Sequence, residues 1–534
     1  MSALDIFFID TAAIGELPTP STDVIGGKAQ GLMRMASIGL PVPPAVVFGT
    51  RWCAPVLRSG ALPDGLRSEL PDVLAWLKQR TRRVYGDPRC PLLVSVRSGA
   101  ASSMPGMMRT LLNVGLADLT LPGLVRLSGN PRLAWDSYRR LVASYGEVVA
   151  GVPPDAFQAE QDALHTSDLR QLDFAQLRTL TRRLLDVYRA AAGEPFPQDP
   201  HEQLERAIFA VFASWSSPQA IDYRKVHGIS EEAGTAVTLQ ASVFGNASGL
   251  SGAGVGFSRD PILGGPEPAI DFRFNAQGED VVAGRLSAYG TLDLADALPE
   301  VWRQLRSSAA KLEREFRDMQ DFEFTVEDRQ LYLLQSRAGK RSALAGARIA
   351  LDLCQEGIIS VSEALSRIDA IGESALAVTK IVADSGDALT PLATAASANT
   401  GVATGEIVLD ETRARQRSGA GAAVILVRRQ AETSDLPALT LSSGLLTQLG
   451  ARTSHAAVVA RHLGKVCLVG CRDLHIDPDR HIVRIGSAEL AEGALLTLDG
   501  NESRIYAGKV RTIVERPKEL LDRISHLRER AARR

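Results

Sequence analysis

The chain has 534 residues, 45% of them hydrophobic and 23% charged, with a formal net charge of −2. That length holds several domains at roughly 100–200 residues each, and the near-balanced charge gives no reason to expect a nucleic-acid or membrane-surface partner. With no apolar run near the roughly 20 residues that span a bilayer, no signal-peptide pattern at the start and five cysteines, an odd number in a long chain that does not suggest a disulfide framework, a soluble cytoplasmic protein is expected.

In chain order, Gly26-Gly27-Lys28 is a glycine turn ahead of a helical pattern from Ala29 to Ile38, which Gly39-Leu40-Pro41 ends. Leu92–Val96 is a compact apolar run suited to a buried strand, followed by Arg97-Ser98-Gly99. From about 130 to 226 the pattern is mainly helical. Thr235–Gln240 and Phe322–Val326 return to strand character, and Glu327-Asp328-Arg329-Gln330 reads as a hairpin turn leading into Leu331–Gln335. A helical stretch from Arg341 reaches roughly Lys380, and the Ala-, Ser- and Thr-rich segment from Ala383 to Thr400 reads as a linker. Beyond it the short runs Ala423–Val427, Lys465–Val469 and Leu495–Leu498 surround a small-residue helix and suggest a compact α/β domain. The tail from 511 to 534 carries a one-sided apolar stripe of Leu520, Leu521, Ile524 and Leu527. A helix docked on its own protein is the first reading of that stripe, and a partner-binding helix the second.

Three clusters carry candidate phosphate chemistry. The amides of Gly26-Gly27 and the Lys28 ammonium suit an anion, and Arg97 emerges at a strand end beside a flexible loop. That loop continues as Ser103-Met104-Pro105-Gly106-Met107-Met108, whose methionines either pack into the core or cover a ligand. Alternation places Asp321 and Glu323 on one face of a strand; carboxylates that close suit a cation between them, and hard oxygen donors suit Mg²⁺. Gln335 and Arg337 share a face of the neighbouring strand and are expected to meet the same ligand. Finally, Ser454 is placed to cap the helix that opens at His455. The free amides and dipole there favour an anion and disfavour imidazolium, keeping a neutral, nucleophilic ring.

Gly26–Ala29, Gly39–Pro44, Leu93–Ala100, Ser103–Met108, Phe274–Gly284, Arg317–Thr325 and Thr453–Arg461 occur in order and cover most of residues 20–510. Together they resemble the successive signatures of the pyruvate phosphate dikinase family of PEP-utilising enzymes. The resemblance implies an α/β multidomain protein. An ATP-grasp-like nucleotide-binding domain over 1–340, with a helical subdomain at about 130–226, would lead through a helical segment and linker at 341–400. A compact swivelling phosphohistidine domain over 401–510 and a helical tail over 511–534 would follow.

It further implies that ATP phosphorylates His455 with release of AMP, that Mg²⁺ is the cofactor and that inorganic phosphate takes the terminal phosphoryl group. Lys28, Arg97, Glu279, Asp321, Glu323, Gln335 and Arg337 would hold the nucleotide, with Asp321 and Glu323 working with Mg²⁺. Arg337 would also assist catalysis, and Arg452, Thr453 and Ser454 would support the carrier loop. The family's pyruvate/phosphoenolpyruvate barrel has no counterpart in the sequence, so the acceptor is expected on a separate barrel subunit or acceptor protein; a homodimer is also implied. Departures from the family pattern stand at Ala451 and Arg452, where Gly-Met is usual, at Arg109 in place of an acidic residue, and at Asp271 in place of a glutamate. A stand-alone small-molecule kinase and a non-enzymatic nucleotide sensor or scaffold remain as alternatives.

Overall fold

The computed structural model describes residues 5–11, 20–102, 104, 109–164, 169–278, 291–382, 389–431, 435–450, 452 and 454–532. Glu279, Thr453, Ala451 and most of the methionine loop lie outside these. The chain packs as two compact units, one made of Met1–Gly249 with Tyr332–Gln335, the other of Leu250–Leu331 with Ser336–Arg534.

In the first unit a five-stranded sheet is built from β1 (Ile6–Ile9), β2 (Ala45–Phe48), β3 (Val94–Gly99), β4 (Thr110–Val114) and β5 (Ala236–Ala241), in the order β1-β2-β5-β3-β4. Its pairings are antiparallel. Helix α1 (Thr22–Ser37) starts earlier than its apolar pattern suggests and takes the glycine turn inside its span, kinking where Gly26 adopts φ 76°. A Cβ there would lie 2.3 Å from the Gly99 carbonyl oxygen, so only glycine fits both the left-handed backbone and the close approach.

The helical region contains α2 (Pro131–Val148), α3 (Phe174–Ala192) and α4 (Pro200–Ala213), among others. Asn130 caps α2 by accepting from the Leu133 amide, and Asp173 with Gln176 forms a reciprocal capping box on α3. Their apolar faces close one core around Tyr138, Tyr145, Tyr188 and Phe212. Buried beside it, the Asp136 carboxylate receives Arg139 Nη2 at 2.7 Å and Arg140 Nε at 2.9 Å.

A four-stranded sheet holds β6 (Gly252–Phe257), β7 (Ala269–Phe274) and β8 (Gln320–Glu327) of the second unit and β9 (Gln330–Ala338), whose middle is counted with the first, in the order β9-β8-β6-β7. The hairpin between β8 and β9 turns where expected, with Asp328 and Arg329 both at positive φ as a tight two-residue turn requires. Alternate glycines of β6 lie under aromatic rings: Cβ atoms at Gly252, Gly254 and Gly256 would fall 2.1–2.5 Å from Phe272, Phe324 and Phe322 or Ile270 side chains. This packs one face of the sheet with rings. It leaves Ala253, Val255 and Phe257 on the other, together with the alternate residues of the strands paired to them.

Helices α5 (Ala343–Gln355) and α6 (Val361–Ile371) follow, so the helical stretch expected to reach Lys380 ends at Ile371, where Gly372 turns at φ 79°. Then come β10 (Val378–Ile381), β11 (Ala393–Thr394) and β12 (Ala396–Asn399). The segment read as a linker therefore holds two strands among its described residues. Small side chains concealed them, because they pair through backbone at sheet positions whose neighbours supply the apolar bulk.

β11 and β12 join β13 (Val402–Val408), β14 (Val424–Arg428), β15 (Gly444–Thr447), β16 (Val466–Val469), β17 (Leu495–Asp499) and β18 (Arg504–Ala507) in one eight-stranded sheet, ordered β11-β18-β17-β13-β14-β15-β16-β12. Helix α7 (His455–His462) packs between β15 and β16 in sequence and against β12 and β16 in space.

The chain leaves this sheet through β19 (Thr512–Glu515), which pairs antiparallel with β10, and ends in α8 (Lys518–Ala532). Leu520, Ile524 and Leu527 of α8 are buried in one cluster with α5 and α6, and Arg523 and Arg528 bond Asp352, Asp369 and Glu373. The tail is a helix docked on its own protein. All five cysteines are free, and burial pushes the Cys467 and Cys471 thiols up to about 12 and about 11, which suits inert packing.

Candidate functional site

In the first unit the backbone brings two expected phosphate binders to one place. The Gly27 amide donates to the Ala100 carbonyl at 3.0 Å, so the Gly-Gly-Lys turn lies against the end of β3, directly after Arg97 and Ser98. Lys28 is exposed there and Arg97 half-buried. Gln335, half-buried, packs with this unit although Arg337, two residues on, packs with the other.

In the second unit, Phe322 and Phe324 pair with Gly256 and Gly254 on the ring-filled face, so Asp321 and Glu323 occupy the opposite one. Register then fixes their neighbours. Asp321 stands beside Phe257, with Ala269 next along the row, and Glu323 beside Val255, with Asp271 next. Asp271 is thus in the same cross-strand row as Glu323. Adjacency along the sequence gave no sign of this; the pairing of β7 with β6 does.

Asp321 is buried and accepts Arg337 Nε through Oδ2 at 2.8 Å. Burial raises its carboxyl above the ordinary value, while the charges of Arg337 and then Arg461 oppose the rise. Among the described residues no group of three or more His, Cys, Asp or Glu side chains is gathered as a metal cage. The carboxylates of Asp321 and Glu323 on this face fit Mg²⁺ that arrives with substrate phosphates, which is how that ion is usually held.

The third expected element, α7, begins at His455 as its sequence suggests, with Ser454 Oγ accepting from the Ala457 amide at 3.4 Å. The His455 side chain lies outside what is described; its position at the first residue of the helix is fixed by the backbone. Arg452 is exposed just before it.

One residue matters that sequence reasoning included only as the end of a motif. Arg461, on α7, is buried and donates to the carbonyls of Ala398 at 2.9 Å, Arg452 at 3.0 Å and Lys340 at 3.4 Å. Its guanidinium carbon also lies 5.3 Å from the centre of the Phe257 ring. The helix that begins at His455 is therefore in contact with the sheet face that carries Asp321.

Comparison with known proteins gives two family matches. Residues 55–289 match the pyruvate phosphate dikinase AMP/ATP-binding domain, and residues 421–503 match the mobile domain of PEP-utilising enzymes. The chain is 39% identical to a pyruvate, phosphate dikinase of Clostridium symbiosum over 499 residues, covering 92% of this chain and 57% of that protein. It is 39% identical to one of Rhizobium meliloti over 505 residues (91% and 56%) and 40% identical to pyruvate, phosphate dikinase 2 of Zea mays over 495 residues (91% and 56%). The chain spans about half the length of the curated relatives it matches. Among its described residues no helix is long and apolar enough to cross a membrane.

Proposed function

We propose that this chain, which belongs to the pyruvate phosphate dikinase family through its AMP/ATP-binding and mobile domains, is an ATP-dependent phosphotransferase that carries phosphoryl groups on His455. The observation that supports this most is the contact of the His455 helix with the Asp321 face through Arg461. A carrier must reach its donor, and these two elements are in contact.

On this reading the neutral imidazole of His455 attacks the β-phosphorus of ATP. The bond from that phosphorus to the α-bridging oxygen breaks, AMP leaves, and the β- and γ-phosphoryl groups stay on the ring nitrogen. The terminal phosphoryl group then passes to inorganic phosphate as pyrophosphate. Lys28 and Arg97 neutralise the polyphosphate, with Gln335, Glu279 and Arg337 completing its site. Asp321 orients the Arg337 guanidinium through the bond to Nε. Asp321 and Glu323 are the residues that would hold Mg²⁺, which when bound offsets phosphate charge. Ser454 caps the carrier helix, Thr453 belongs to the supporting carrier loop, and exposed Arg452 offers a cation beside the phosphohistidine. Catalysis is then mainly positioning and charge stabilisation, as is general for phosphoryl transfer.

The second half of the proposal is delivery to a small-molecule acceptor of the pyruvate/phosphoenolpyruvate class, at a site presented to His455 by a further domain or a separate polypeptide. The match of residues 421–503 to a PEP-utilising enzyme's mobile domain supports that class.

Product analysis with Mg-ATP, with and without inorganic phosphate, tests the reading. AMP is expected, with pyrophosphate only when phosphate is added. ADP released on phosphorylation of a small acceptor would replace it with a stand-alone kinase, and ATP binding without any turnover would leave a nucleotide sensor.

A further inference from the structure

Arg461 is 2% exposed, and its guanidinium donates to three main-chain carbonyls. A buried cation is costly unless its hydrogen bonds are satisfied, and here carbonyl oxygens and an aromatic face do that work. The partners divide into two sets. Ala398 on β12 and Arg452 before α7 belong to the same part of the fold as Arg461 itself. Phe257 on β6 and Lys340 after β9 belong to the sheet that bears Asp321. A guanidinium needed only to hold α7 to its own sheet would have no use for the second set.

We infer that Arg461 is a positioning residue that docks the carrier helix onto the nucleotide-binding sheet for phosphoryl uptake. This rests on the reading of His455 as the carrier. The guanidinium lies over Phe257 while its donors reach carbonyls on both sides, a combination an ammonium cannot reproduce. Its bond to the Arg452 carbonyl also fixes the loop immediately before His455, so docking and carrier-loop geometry are set by one side chain. Burial is the largest effect on it and lowers its pKa, while Cys467 and then the carboxylates of Asp321, Asp260 and Asp271 oppose that fall. The docked arrangement thus brings a cation towards the acidic residues of the sheet.

The test compares wild type, Arg461→Met, Arg461→Lys, Phe257→Leu and the Arg461→Met/Phe257→Leu double variant in the full chain. It reads the single-turnover rate of His455 phosphorylation from Mg-ATP, the ATP dissociation constant and the thermal midpoint. A desolvated cation–π contact is worth up to about 2 kcal/mol, or roughly thirtyfold. Arg461→Met is therefore expected to slow phosphorylation by about tenfold or more while ATP affinity stays within about twofold, and Arg461→Lys to restore only part of the rate. Phe257→Leu, which leaves the bonds to Ala398 and Arg452 in place, is expected to slow it less and to add little in the Arg461→Met background. A wild-type rate in Arg461→Met, or losses that multiply independently, overturns the inference. Should Arg461→Met not fold, a wild-type rate in Phe257→Leu overturns it and a reduced rate with unchanged ATP affinity upholds it. If wild type takes no phosphoryl group, the carrier reading fails, and docking is then judged by amide exchange of residues 252–257. Faster exchange in Arg461→Met than in wild type upholds the docking contact, and equal exchange overturns it.

Discussion

Arg337 Nε donates to Asp321 Oδ2 at 2.8 Å across neighbouring strands, with the Asp321 side chain 3% exposed and the Arg337 side chain 55%. The buried carboxylate holds the Nε edge of a half-exposed cation, an arrangement suited to a polyphosphate. Burial raises the Asp321 carboxyl above its ordinary value, and Arg337 is the largest opposing influence. A carboxyl with a raised folded pKa binds its proton more tightly in the folded state. Stability is therefore lost as pH rises from the ordinary carboxylate value through the raised one, and is flat above it. Arg337→Met leaves burial less opposed, so this window extends to higher pH. The acid limb of ATP binding and the Asp321 carboxyl resonance in a pH titration should both move upward; an unmoved or lowered titration would contradict the pairing.

The buried Asp136 carboxylate behaves in the opposite way. Burial raises its pKa, but Arg140 and Arg139 together outweigh that and hold it well below the usual carboxylate range. Its stabilising effect is present above the ordinary value and lost as pH falls towards the depressed one. Asp136→Asn leaves two cations in a buried site and is expected to cost about 3–5 kcal/mol at neutral pH. Denaturant unfolding followed by tryptophan fluorescence measures it, and the difference between variant and wild type should shrink below about pH 4.

At the glycine turn, Gly26→Ala places a methyl group against the Gly99 carbonyl and forces a side chain into φ 76°. The strain is of order 1–3 kcal/mol and falls on the segment that carries Lys28. ATP affinity should drop by more than the thermal midpoint alone accounts for, whereas Gly27→Ala, whose Cβ meets nothing nearer than 3.8 Å, should be mild. Equal effects of the two substitutions on ATP binding would refute the placement of the turn.

Much of this was legible in the chain, and the exceptions share a cause. Phe322-Glu323-Phe324-Thr325 announces an alternating strand by itself, and Ser454 announces a cap. Gly252-Ala253-Gly254-Val255-Gly256 does not read as a strand, since glycine is poor in strands and marks turns. Only the rings of Phe272, Phe322 and Phe324, brought by other strands, explain why glycine is required there. Likewise Ala393–Thr394 and Ala396–Asn399 lack intrinsic strand character and gain it by pairing with Arg504–Ile505 and Cys467–Val469. The docking contact of Arg461 was invisible for the same reason: Phe257 is its neighbour only after both sheets have formed.

The docked tail makes a further claim open to measurement. Ile524 is buried against α5 and α6, so Ile524→Ala should cost about 2–5 kcal/mol in the thermal or denaturant unfolding of the second unit. Unchanged unfolding would show that α8 is not held there and would return it to the partner-binding reading.

The central claim is tested most directly by incubating the chain with Mg-ATP labelled at the β-phosphorus and recovering the protein. Acid-labile, alkali-stable label on wild type is predicted, absent from a His455→Ala variant that still binds ATP. No label on wild type, or label retained by His455→Ala, would contradict the account.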